Sequence, residues 1–145
     1  MNYRSMKRGP GSFFWSGRSA TALLVAAGLS VLAASAADGA WLARVPGHDH
    51  ERTNPYQGQP NAIAAGRRVF VEHCAECHGE RAEGTKKRPS LRSQRVQHQA
   101  TPGDIHWLLV NGNMKKGMPS WAKLPDPQLW QVITYVKSLS NEATP

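Results

Sequence analysis

Apolar residues return at helical intervals in three separate stretches of this chain. Ala62, Gly66, Val69, Phe70 and His73 recur every three or four positions, which places them on one face of a helix that ends at a pair of cysteines. Leu129, Trp130, Val132, Ile133, Val136 and Leu139 trace a second apolar face near the carboxy terminus. Asp126 and Pro127 stand before it as an expected N-cap and first-turn proline. Between these two, Thr101-Pro102-Gly103-Asp104 has the order of a capped helix start and Asn111-Gly112 that of a stop. Ile105, Leu108 and Leu109 on that middle helix are expected to face the interior. The pattern predicts an all-α domain of three or more helices.

The amino terminus is apolar in a different way. Arg4, Lys7, Arg8 and Arg18 precede an apolar run from Ala20 to Ala34, which ends in Ala34-Ser35-Ala36. Basic, apolar and small-residue regions in that order are those of a secretory signal peptide over residues 1–37. The rival reading is an uncleaved membrane anchor, since Ala20 to Ala37 supplies 18 uncharged residues and Trp41 could sit at the interface after it. Either way the remainder is expected outside the cytoplasm, periplasmic or extracytoplasmic, soluble after cleavage or tethered by the leader. The segment 38–60, with three Pro and three Gly and no apolar period, reads as a linker or a strap over the domain surface. His48, Asp49, His50 and Glu51 within it read as solvated loop, because four adjacent side chains rarely converge on one ion. That leaves 61–142 as the domain and 143–145 as a tail.

A chain of 145 residues with 40% hydrophobic content is too short for a multidomain enzyme, and five Trp, three Tyr and three Phe are too many for a disordered coil. About eighty residues of domain still bury only a thin core unless something staples them. The two cysteines, Cys74 and Cys77, stand in Cys74-Ala75-Glu76-Cys77-His78. The histidine directly after C-x-x-C makes this a c-type haem attachment sequence. Two thiols on one helical turn can each add to a vinyl group of the porphyrin, and the next residue can ligate iron through its imidazole. A redox dithiol would need a strand feeding the motif, zinc would need a second ligand pair, and a disulfide at this spacing is sterically awkward. For a second axial ligand the residues leave Met114 and Met118 open, with His98 and His106 further afield.

Here the chain resembles the class I cytochrome c family over roughly residues 60–140, beginning with GRRVFVEHCAECHG from Gly66 to Gly79. The resemblance implies a small domain of three or more helices around one covalent haem c. The helix before the motif would cross the last helix where Gly66 and Phe70 meet Tyr135. Lys116-Gly117-Met118-Pro119-Ser120-Trp121 is similar to the family's ligand loop, so Met118 is implied as the second axial ligand opposite His78, with Met114 the fallback. Pro89-Ser90-Leu91 resembles the Pro-x-Leu segment, which implies that the Pro89 carbonyl accepts from His78 Nδ1–H and that Leu91 packs on the ring. Lys86, Lys87 and Arg88 depart from the pattern, which often has Gly before that proline. With both axial positions filled, iron of this kind carries electrons and leaves no position for oxygen or peroxide.

The formal charge of +8 is unevenly spread. Residues 1–37 hold +4, and 85–123 hold +7 from eight basic residues against Asp104 alone, while 38–61, 62–84 and 124–145 each sum to −1. A basic patch near the haem edge would steer redox partners that carry acidic docking patches. Without an aromatic platform or a DNA-binding motif, nucleic acid is not expected as a partner. The expected activity is one-electron shuttling in an extracytoplasmic electron-transfer chain by a monomer that turns over no substrate. The alternative is a haem c subunit of a larger membrane or periplasmic oxidoreductase.

Overall fold

The computed structural model describes residues 40–141, so the readings of the leader and of the 143–145 tail fall outside it. We number its α-helices α1 (Gly47–His50), α2 (Pro60–His73), α3 (Ala75–His78), α4 (Pro102–Asn111) and α5 (Asp126–Ser138). Short 3-10 turns occur at Leu42–Arg44, Met114–Lys116 and Leu139–Asn141, and a π-helical turn at Arg95–Gln99. No strand occurs among the described residues, and the fold is all-α.

The core forms where α2 crosses α5. Ala62, Gly66 and Phe70 are the buried residues of α2, and Leu129, Trp130, Val132, Ile133, Tyr135 and Val136 are buried on α5. Phe70 and Ile133 are each 0% exposed, and burial of a side chain of that size contributes about 1.5–3 kcal/mol. The crossing is close because Gly66 has no side chain: a Cβ there would overlap the backbone carbonyl of Gln131. One turn further along, the Phe70 and Tyr135 rings meet at a centroid distance of 5.3 Å and a tilt of 55°.

At the start of α4, Thr101 Oγ1 accepts from the Asp104 N–H at 3.1 Å, and Asp104 Oδ2 accepts from the Thr101 N–H at 2.7 Å. This reciprocal pair satisfies two helix-end donors. The start of α5 differs from the sequence reading. Pro125 occupies the N-cap position, and Asp126 is already helical. Its carboxylate turns instead to the side, accepting from His106 Nε2 at 2.7 Å and Trp130 Nε1–H at 2.9 Å.

Residues 40–60 lie as a strap over the domain surface. They group with the rest of the domain as one unit, and Trp41, Leu42 and Tyr56 pack against the core. Asn54, 7% exposed, donates from Nδ2 to the Trp130 carbonyl at 3.0 Å and to Thr134 Oγ1 at 2.9 Å. His50 and Asp49, read as solvated, are also engaged: His50 Nδ1 lies 2.9 Å from Asp104 Oδ1, and Asp49 pairs with His48 at 3.1 Å.

Candidate haem site

Helix α2 stops at His73, and Cys74, at φ −119° and ψ −33°, both ends it and opens α3. The Cys74 carbonyl then accepts from the N–H of Cys77 at 3.1 Å and of His78 at 2.9 Å. Both cysteines and the histidine thereby share one helical turn. Neither cysteine is in a disulfide; Cys74 is half-buried and Cys77 exposed. Burial first, and Cys77 beside it second, push the Cys74 thiol up to about 11, so it stays protonated at neutral pH.

His78 Nδ1 lies 2.9 Å from the carbonyl oxygen of Pro89. A carbonyl can only accept, so Nδ1 carries the proton and Nε2 keeps its lone pair. Nε2 has no hydrogen-bond partner among the described residues. The arm that presents Pro89 is itself fixed: Gly84 N–H donates to His78 O at 2.7 Å, and Leu91 N–H donates to Ala82 O at 2.9 Å. Leu91 is half-buried against the core.

Met118 closes a tight turn with Asn113. The two exchange backbone bonds at 2.8 and 3.1 Å, and the turn is anchored by Trp121 N–H donating to Leu109 O at 2.8 Å. Trp121 faces His73 at the end of α2, with ring centroids 5.3 Å apart. The four candidates for a second ligand differ sharply in setting. Met118 is partly buried against the core, whereas Met114 is 73% exposed and His98 is exposed. His106, 3% exposed, is spent elsewhere. It stacks on Trp130 at 4.2 Å, its Nδ1 lies 2.9 Å from Arg52 Nη1, and its Nε2 meets Asp126. Arg52 is always a donor, so Nδ1 accepts and Nε2 donates, which leaves this ring no lone pair for a metal.

Two reduced thiols on one helical turn and, directly after them, an imidazole with a free Nε2 are donors that fit haem c. A bare ion fits poorly, because no group of three or more His, Cys, Asp or Glu is arranged to hold one among the described residues. Arg88 was visible in the sequence as a charge and as a departure from the family pattern but not as a contact, and its Nη1 donates to the Lys116 carbonyl in the Met118 turn. Lys137 Nζ donates to the carbonyls of Val96 and Ala100 at 3.1 Å each, and burial lowers its pKa more than Asp104 raises it.

Fold and donor set together define a c-type cytochrome domain. The profile of the family described as cytochrome c oxidase, cbb3-type, subunit III matches residues 61–136, just over half of the chain, and the chain belongs to that family. It is 35% identical over 83 residues to the cbb3-type cytochrome c oxidase subunit CcoP of Rubrivivax gelatinosus, covering 57% of this chain and 27% of that protein. It is 33% identical over 95 residues to CcoP of Azospirillum sp. (strain B510), covering 57% and 32%. Against the FixP subunit of Sinorhizobium medicae (strain WSM419) it is 30% identical over 96 residues, covering 57% and 29%. The chain thus spans about a third or less of the length of these relatives. Its cofactor is haem c.

Proposed function

We propose that this chain is a haem c electron-transfer subunit that works with a membrane-bound terminal oxidase of the cbb3 kind, relaying single electrons without substrate turnover of its own. The observation that carries the reading is the profile match over 61–136, where the similar proteins bear the names of cbb3 oxidase subunits. It favours a subunit over the freely diffusing shuttle expected first from the sequence.

In this reading the bound haem supplies a reversible one-electron iron couple. Cys74 and Cys77 would hold the ring through two thioethers. His78 Nε2 and Met118 Sδ would hold the metal, while Pro89 O fixes the imidazole tautomer and Leu91 would pack beside the ring. Exposed Lys86, Lys87, Lys115, Lys116 and Lys123 form the docking face. The contact of Arg88 with Lys116 draws two basic runs together, which strengthens the field felt by an acidic partner. Association should slow as salt rises through the screening range. The proposed location is the extracytoplasmic side of the membrane. No helix among the described residues is long and apolar enough to cross a membrane, so any tether would lie elsewhere.

The test is solubilisation of native membranes followed by gel filtration at high salt. Co-elution of this haem-stained chain with oxidase activity is expected. Elution alone as a small protein would overturn the subunit reading in favour of a free carrier.

A further inference from the structure

The arm that presents Pro89 and the turn that carries Met118 meet at one side chain. Arg88 directly precedes Pro89. Its Nη1 donates to the carbonyl oxygen of Lys116, and both terminal nitrogens lie over Gly117, where a Cβ would stand 2.8 Å from each. The Arg88 backbone is fixed at the other end. Thr85 N–H donates to Arg88 O at 2.9 Å, and Arg88 N–H reaches Thr85 Oγ1 at 3.1 Å. The neighbouring Pro89 carbonyl holds His78 Nδ1 at 2.9 Å. Bonded contacts therefore run from His78 through Pro89 and Arg88 to Lys116, two residues before Met118.

The turn needs such a contact. Its other bonds near the tip are internal, with Lys116 N–H donating to Asn113 O at 2.8 Å and Gly117 N–H to Met114 O at 2.9 Å. Gly117 forms a left-handed corner at φ +71°, and its missing side chain leaves the space that the guanidinium fills. A charged donor makes a stronger bond to a carbonyl than a neutral one, and the planar guanidinium loses less freedom on bonding than a lysine would.

We propose that Arg88 is a positioning residue that clamps the Met118 turn to the His78 arm and sets how often that turn opens. The inference rests on Met118 being the second axial ligand, and its test separates the two. Imidazole, a small ligand that enters where Met118 leaves, is titrated into the ferric holoprotein of the parent, Arg88→Gln, Arg88→Lys, Met118→Ala and the Arg88→Gln/Met118→Ala double variant. Arg88→Gln should bind imidazole about fivefold more tightly than the parent, the scale of one ordinary net hydrogen bond, as fits a partly exposed site. Arg88→Lys should fall between them. Met118→Ala should bind more tightly still, and Arg88→Gln should add nothing in that background.

Amide exchange gives a second readout, with Gly117 and Met118 exchanging about fivefold faster in Arg88→Gln than in the parent. Equal imidazole affinity in parent and Arg88→Gln, alongside a raised affinity in Met118→Ala, would overturn the clamp and leave the Met118 reading standing. Parent-like affinity in Met118→Ala would overturn the Met118 reading and the clamp with it. If Arg88→Gln folds poorly, Arg88→Lys carries the comparison, and parent-like affinity and exchange in it would overturn the role given to the fork.

Discussion

Gly66 on α2 lies so close to Gln131 on α5 that a single added methyl group would overlap the Gln131 carbonyl. The obstacle is backbone within a helix, so it cannot rotate away as a side chain would. Gly66→Ala is therefore expected to cost about 3 kcal/mol, at the upper end for an overpacked core. Urea unfolding of the holoprotein followed by far-ultraviolet circular dichroism measures this. A loss below about 0.5 kcal/mol, typical of a neutral surface change, would show that the helices do not meet there.

The features legible in the sequence are those with a local or periodic trace. The α2 and α5 faces show as apolar spacing, the α4 start shows as Thr101 and Asp104 three positions apart, and the cysteines show as a motif. The His78–Pro89 contact was reachable by residue because Pro89-Ser90-Leu91 has a family counterpart. The strap left no such trace. Asn54 reaches Thr134 across 80 positions and Arg52 reaches His106 across 54, and no period in a Pro- and Gly-rich segment encodes that. Asp126 was misplaced by one position because its carboxylate is drawn sideways to His106, a partner set by tertiary packing. Arg88 was seen as a charge and not as a reach.

The strap gives a direct expectation. Asn54→Ala would leave the Thr134 hydroxyl and the Trp130 carbonyl without their amide partner in a buried setting, costing about 1–3 kcal/mol. Thermal unfolding of the holoprotein should show a lowered midpoint, and faster exchange of amides in the strap should accompany it. An unchanged midpoint would mean that the strap is laid on the domain without holding it.

Acid sensitivity should involve Asp126. Burial opposes its ionisation and is the largest single influence, but the hydrogen bonds from His106 and the Trp130 indole and the nearby charge of Arg52 outweigh it, so its pKa falls below 3.8. A carboxyl depressed in the folded state stabilises the fold above its unfolded pKa, and that contribution disappears as pH falls through the depressed folded value. Asp126→Asn should flatten the stability profile on the acid side of 3.8. The effect should be under about 1 kcal/mol because the carboxylate is largely solvent-exposed. Melting curves of both proteins from neutral to strongly acidic pH decide it; parallel profiles would contradict the assignment.

The two methionines of the turn separate by spectroscopy. Met118→Ala should abolish the near-red charge-transfer band of methionine-ligated ferric haem and lower the reduction potential, whereas Met114→Ala should leave both unchanged, consistent with its 73% exposure. The reverse pattern would assign the ligand to Met114.

Covalent attachment through Cys74 and Cys77 supports everything else, and acid–acetone extraction of the purified protein followed by mass measurement of the polypeptide tests it most directly. The colour should stay with the chain, whose mass should exceed that of its amino acids by one haem, and Cys74→Ala/Cys77→Ala should lose it. Extraction of all colour into the solvent, leaving an unmodified chain, would contradict the account.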